Sequence, residues 1–328
     1  MDPIHLKLDS GIALSGEASV QVAASVWLPA EPLAAPALLL CLPGGNMNRH
    51  YFDLQPEDGD DSFSFAAQMC ARGFIVAALD HLGLGDSTKP QDGWQLTPEV
   101  LVQANANATA QLLTTLRSGE LRADVPAVPG LRSVGVGHSM GAMLTVLQQH
   151  AASQHEAIVV LGFSTRGLPE YLPPPLKQIG DPVAARPQLV DLARKMFGGN
   201  PYPMIHRGGG NGGAGNGGNA DLFGSRKADP RGVAALKRAT DCVLPVPAVL
   251  SMLPNNVGAE AATIRCPVFL GIGEKDMVGP THQVPAAFAA SFDVTLQILP
   301  ETGHSHFLFP ARTALFDRLG VWVETVLG

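Results

Sequence analysis

What this chain is short of narrows its function before any motif is read. Charged residues fill only 16% of 328 positions, and 22 Lys and Arg face 29 Asp and Glu, a formal charge of −7. An acidic chain with no basic stripe is a poor grip for nucleic acid or for an anionic membrane surface. Long apolar runs are missing too. The most apolar stretch near the front, Pro36 to Leu42, is far too short to span a bilayer. The start, Met1-Asp2-Pro3-Ile4-His5, shows no cationic segment followed by an apolar one, so no secretory leader is expected. Only four cysteines occur, Cys41, Cys70, Cys242 and Cys266, with neither CxxC pairing nor metal-ligand spacing. They read as buried reduced thiols, which fits a cytoplasmic protein, and no metal site is expected.

What the chain does have is enough apolar material, 46%, for a large core. Its length allows about two domains of roughly 150 residues each, or one large α/β unit. His5-Leu6-Lys7-Leu8 alternates as a strand does, and Val20 to Leu28 follows more loosely. Pro36–Leu42 and Phe74–Leu79 are continuous apolar runs, the mark of strands covered on both faces. Helical patterns occupy Ser62–Arg72, stopped by Gly73, and Thr97–Arg117, opened by Thr97-Pro98-Glu99. Further on, strands at Leu131–Val136, Ala157–Leu161, Pro267–Ile272 and Val294–Leu299 alternate with helices at Ser139–Ala152, Thr281–Ala290 and Ala311–Leu327. Such alternation implies an α/β fold, a mostly parallel central sheet with helices on both faces.

The alternation is interrupted from Ser164 to Ile264, where prolines crowd (Pro169, Pro173, Pro174, Pro175, Pro182, Pro187). Arg207–Asn219 is nearly all Gly and Asn and reads as a flexible loop, since it cannot bury apolar surface. It is no phosphate cradle, because no strand precedes it and no Lys-Ser/Thr follows. Amphipathic pieces flank it at Val183–Phe197 and Val233–Leu253. Residues 164–264 are therefore expected to form an inserted helical cap, with 1–163 and 265–328 as the core.

The sharpest local signal is Gly137-His138-Ser139-Met140-Gly141, directly after a strand and directly before a helix. In that context G-x-S-x-G specifies a turn so tight that small residues must flank it, lifting the Ser139 hydroxyl off the sheet edge. Here the chain resembles the α/β-hydrolase family, and four further stretches match in the expected order. Leu42-Pro43-Gly44-Gly45-Asn46 follows the third strand, where the family keeps its oxyanion loop. Asp80-His81-Leu82-Gly83-Leu84-Gly85-Asp86-Ser87 follows the fourth. Gly273-Glu274-Lys275-Asp276 follows the strand VFLGI, where the family carries its acid, and Gly303-His304 follows the last strand, where it carries its histidine.

The resemblance implies a serine hydrolase acting on a carboxylic ester or lactone through an acyl-enzyme on Ser139. His304 would be the base, Asp276 the orienting acid, and the N–H groups of Gly45 and Met140 the oxyanion donors. Glu274 and His306 are the rival acid and histidine, His306 solvated or behind the site. Gly44, Asn46 and His138 are candidate substrate contacts, although His138 also reads as packing and Gly44 or Asn46 could replace Gly45 as donor. The family often has His-Gly where this chain has Pro43-Gly44, and proline donates no hydrogen bond. Asp80 and His81 read as ordering their turn, and Asn48-Arg49-His50-Tyr51 as surface loop or substrate rim. A serine at 139 sets aside the aspartate and cysteine nucleophiles of resembling epoxide hydrolases, dehalogenases and dienelactone hydrolases. Two alternatives stay open: a carbon–carbon bond hydrolase anchoring a carboxylate on Arg49 or Arg166, and a receptor without turnover. Leu172, Leu176, Met204 and Met252 suggest an apolar roof. The expected partner is a small-molecule ester or lactone; no cofactor is implied, and monomer and homodimer are both allowed.

Overall fold

The continuous apolar runs become the middle of one sheet. The computed structural model describes residues 2–179, 181–197 and 227–328; the expected loop 207–219 and Met204 lie outside the described residues. The strands are β1 (Ile4–Asp9), β2 (Gln21–Trp27), β3 (Ala37–Leu42), β4 (Ile75–Leu79), β5 (Arg132–His138), β6 (Ala157–Leu161), β7 (Val268–Gly273) and β8 (Val294–Leu299). They lie in the order β1-β2-β4-β3-β5-β6-β7-β8. β1 pairs antiparallel with β2, and β2 with β4. Every pairing from β4 through to β8 is parallel. In β3, β4, β6 and β7 every residue is buried, as expected of strands roofed on both faces.

The strand period of two splits the core into two layers. Leu38 and Leu40 of β3 join the apolar layer under α2 (Pro98–Ser118) and α3 (Met140–Ala152). Leu39 and Cys41 join the opposite layer, under α1 (Phe65–Ala71) and the last helix, Arg312–Leu327. Local chemistry sets the helix ends. Thr97 accepts from the Val100 N–H at the start of α2, Pro98 occupies its first turn, and Gly119 closes it at φ +77°. The Ser64 hydroxyl caps α1 by accepting from the Ala67 N–H.

One expected helix and the two amphipathic pieces are each interrupted by proline. Thr281–Ala290 is 3-10 turn over Thr281–Ala287, because Pro285 within it has no N–H for an α-helical bond. Val183–Phe197 breaks into Pro182–Ala185, a turn at Arg186–Gln188 containing Pro187, and Leu189–Phe197. Val233–Leu253 divides into Pro230–Ala239 and Pro245–Met252, the second opened by Pro245 and Pro247. Pro245–Met252 packs on Leu189–Phe197, α2 and α3, which ties the segment between β6 and β7 to the sheet domain.

None of the four cysteines is in a disulfide. Burial raises the Cys41 thiol and pushes Cys70 up to about 12 and Cys242 and Cys266 to about 11, so none is a ready nucleophile. Among the described residues no helix is long and apolar enough to cross a membrane.

Candidate active site

β5 runs to His138 and α3 starts at Met140, so Ser139 alone turns the chain between them. It does so at φ 54°, ψ −122°, a conformation that side-chain-bearing residues seldom adopt and that costs about 1–3 kcal/mol. Backbone bonds hold it there. Its N–H donates to the Leu161 carbonyl (2.8 Å), and its own carbonyl accepts from Ala142 N (2.9 Å) and Met143 N (3.2 Å). Close approach explains the flanking glycines. A Cβ on Gly137 would lie 2.4 Å from Ala142 Cα, and one on Gly141 2.1 Å from the Leu42 carbonyl oxygen. Helical bonding starts only at Ala142, so the Met140 and Gly141 N–H groups have no acceptor within α3.

Two loops at the ends of neighbouring parallel strands meet this serine. Asp276 follows β7 and His304 follows β8. The Ser139 Oγ lies 2.9 Å from His304 Nε2, and the His304 Nδ1–H donates to Asp276 Oδ1 at 2.8 Å. Asp276 Oδ1 also accepts from the Met277 N–H (2.7 Å), while Oδ2 accepts from His306 Nε2 at 3.0 Å. Burial pushes the Asp276 carboxyl up, but His304 and His306 outweigh it and hold the group ionised below the usual carboxylate range. A hydroxyl, an imidazole and a carboxylate in this series can pass the hydroxyl proton to the imidazole and stabilise the cation that forms. Glu274, the rival acid, lies on the surface beside Lys275. His306 is not solvated: its side chain is fully buried behind Asp276.

The loop 43–46, the candidate oxyanion loop, is braced by a residue outside it. Pro43 has no N–H, but its carbonyl accepts from the buried His81 Nε2–H (3.0 Å), and Asn105 donates to His81 Nδ1 at 3.4 Å. Gly45 packs on Met140, where an added Cβ would sit 3.5 Å from the sulfur. Asp80 does order its turn, accepting from the Arg49 N–H (2.7 Å) and the Asp86 N–H (2.8 Å). The segment Asn48–Tyr51 is mostly neither surface nor rim. Asn48, Arg49 and Tyr51 are buried, and only His50 is exposed. The Arg49 guanidinium is bound to Asp80, to Asp86 (2.6 Å) and to Ser25 (2.8 Å), so it does not face a substrate.

A narrow cavity of about 20 Å³, room for one or two water molecules, adjoins Ser139 and His304. Phe163, Leu168, Met277 and Val278 supply its apolar wall. Ser164 and Ser251 also line it, but their hydroxyls donate to the Val278 and Ala248 carbonyls, each at 2.8 Å. Gly44, Asn46 and His138, the candidate substrate contacts, are not among the residues that line it. Gly44 is packed against His138 and Ser139. The Asn46 carbonyl accepts from Asp241 N at 2.8 Å. His138 lies beneath the site, its ring tilted against Tyr51 with centroids 4.5 Å apart, and its Nε2–H is donated to the His304 carbonyl at 2.9 Å. Leu172, Leu176 and Met252 are likewise absent from the lining.

Sequence reasoning also missed Gly162, which sits at φ +59° directly after β6. A Cβ there would come within 3.2 Å of Asp276 Oδ2 and 3.3 Å of His304. A glycine closing a buried apolar strand was the available signal.

Three buried histidines have lowered pKa values. Burial lowers His81; burial, with repulsion from His304 and His306, lowers His138 well below the ordinary value; burial alone brings His155 to about 4. The unfolded chain takes up these protons near pH 6.5 while the folded one refuses them, so stability falls as pH drops below that value. The slope approaches about 4 kcal/mol per pH unit once all three are involved. Chemical denaturation at pH 7, 6 and 5 measures it, and an unchanged midpoint would show that these rings accept protons in place.

The family model described as "Alpha/beta hydrolase family" matches residues 39–314. Among solved structures, the chain resembles a monoglyceride lipase variant from Saccharomyces cerevisiae at 12% identity and TM-score 0.65, covering 99% of this chain and 96% of that one. It resembles an esterase from Thermogutta terrifontis at 13% identity and TM-score 0.60, covering 99% and 100%. A proline iminopeptidase from Mycobacterium smegmatis gives 16% identity and 0.57, covering 99% of each chain. A search of curated protein sequences finds no match. At such identities the neighbours establish the fold, and the family model spans most of the sheet and every loop of the site: the chain belongs to the alpha/beta hydrolase family.

Proposed function

We propose that the protein hydrolyses a carboxylic ester or lactone through an acyl-enzyme on Ser139. The observation that carries this is the unbroken series from the Ser139 Oγ to His304 (2.9 Å) and on to Asp276 (2.8 Å). Serine is a weak nucleophile without a base in reach. As the Oγ attacks the ester carbonyl carbon, its proton passes to His304 Nε2. When the carbon–oxygen bond to the alcohol breaks, His304 returns that proton to the departing alkoxide. Water then attacks the acyl-enzyme by the same route, releasing the acid and restoring the hydroxyl. Asp276 keeps the imidazole in the required tautomer and stabilises its cation. The N–H groups of Met140 and Gly45 are the assigned donors to the oxyanion, each worth about 3 kcal/mol in the transition state.

The cavity supports a neutral substrate. Among the described residues, His304 is the one ionisable side chain that lines it, and no Asp, Glu, Lys or Arg does. Both arginines that could anchor a substrate carboxylate are taken, Arg49 by Asp80 and Asp86, and Arg166 by Glu170. That favours an ester over the carboxylate-bearing substrates of the carbon–carbon bond reading. The structural neighbours include an esterase and a monoglyceride lipase, in keeping with acyl chemistry. We also read the segment between β6 and β7 as the cap, since Ser164, Gly167, Leu168 and Ser251 come from it to line the cavity.

Incubation with a fluorophosphonate, followed by peptide mass spectrometry, should give one adduct on Ser139, and p-nitrophenyl acetate should be turned over. Absence of both adduct and turnover would overturn the reading and revive the receptor alternative.

A further inference from the structure

We propose that His306 is a positioning residue for this reaction: its Nε2–H holds Asp276 Oδ2, so the carboxylate is clamped between two imidazoles and Oδ1 alone orients His304. The inference rests on the roles given to Ser139, His304 and Asp276 above.

The two contacts on Asp276 are similar in length, 2.8 Å to His304 and 3.0 Å to His306, and all three side chains are almost wholly buried. An ionised carboxylate only accepts, so His306 Nε2 carries the proton it shares. The terminal torsion of an aspartate is soft, with two wells. The Met277 N–H fixes Oδ1 but leaves Oδ2 without a donor unless His306 supplies one. A bare buried carboxylate oxygen would drive rotation toward any donor in reach and carry Oδ1 away from His304. His306 makes one polar contact with its ring: among the described residues Nδ1 is buried and has no hydrogen-bond partner. Its ring is therefore held for the contact with Asp276.

The surroundings keep that ring in place. His306 opens a 3-10 turn, His306–Leu308, and its ring meets His138 edge-on at 5.8 Å. His138 in turn holds the His304 carbonyl. The ionisable groups facing His306 are Asp276 from the loop after β7, His138 from β5, His304 from its own loop, and Tyr51 from the turn Arg49–Phe52. Burial, then the charge of Asp276, push the Tyr51 phenol well above its usual range, so it brings no charge. Removing the His306 donor lets Oδ1 turn away from His304, so the protonated base loses its stabilising partner and the acid limb of the kcat/KM profile moves to lower pH.

The test compares His306→Leu, His306→Asn and His306→Gln with the parent enzyme. Rates are expressed per active site, counted by exhaustive fluorophosphonate labelling. His306→Leu should lower kcat by about 10- to 100-fold with KM within about twofold, and should shift the acid limb to lower pH. His306→Gln, whose amide N–H reaches the place of Nε2, should restore most of kcat and the original limb; the shorter Asn should not. If the limb stays put in every variant, or Gln performs no better than Asn, His306 is only packing and the proposal fails. Should Leu prevent folding, the Gln and Asn pair still decides. A parent enzyme that neither labels nor cleaves esters would instead defeat the reaction assignment itself.

Discussion

Ser139→Ala should lower ester turnover by about a million-fold, the scale on which removing a triad serine acts. Its thermal transition should stay within a few degrees, because Ser139 makes its fold-holding bonds through its backbone N–H and carbonyl. The backbone adds a second, unusual expectation. At φ 54°, ψ −122° a Cβ is strained and glycine is not. Ser139→Gly should therefore be as inactive as the alanine variant yet raise the stability by about 1–2 kcal/mol. Kinetics and denaturant titration on the two variants measure both effects. Turnover surviving in either would remove Ser139 from the mechanism, and a Gly variant less stable than Ala would show that the turn is unstrained.

Asp276→Asn should cost about 10⁴-fold in kcat with little change in KM. The carboxylate faces three donors: His304 Nδ1–H, the Met277 N–H and His306 Nε2–H. An amide offers one accepting oxygen and one donating NH₂. Whichever way it turns, its NH₂ meets at least one former donor: His306 at the Oδ2 position, or His304 and the Met277 N–H at the Oδ1 position. If the amide nitrogen faces His304, the imidazole must take the other tautomer, with Nε2–H pointing at Ser139 instead of a free lone pair. Activity within tenfold of the parent would show that Asp276 does not set that tautomer.

Much of this architecture could be read along the chain. β3, β4, β6 and β7 announce themselves as apolar runs, because burial on both faces leaves no polar alternation. The elbow is also local: Gly137 and Gly141 are small because backbone passes within 2.4 Å and 2.1 Å of where their Cβ atoms would be. The five loops then follow in chain order. What was not legible depends on distant partners. Nothing near Arg49 in sequence says that Asp80 and Asp86 will bury it. Nothing near His306 distinguishes a solvated histidine from one folded back onto Asp276. The breaks inside Val183–Phe197, Val233–Leu253 and Thr281–Ala290 are less legible, since periodicity finds an apolar face more readily than it finds the missing N–H of Pro187, Pro245 or Pro285.

The order of strands has a consequence for the newborn chain. Synthesis delivers β1 to β6 and the elbow first, and β7 and β8 join only at one end of that sheet. On the proposed mechanism, a nascent polypeptide would carry its bent serine complete yet stay chemically silent on the ribosome. Reactivity would switch on only when the final two strands dock and bring carboxylate and imidazole with them.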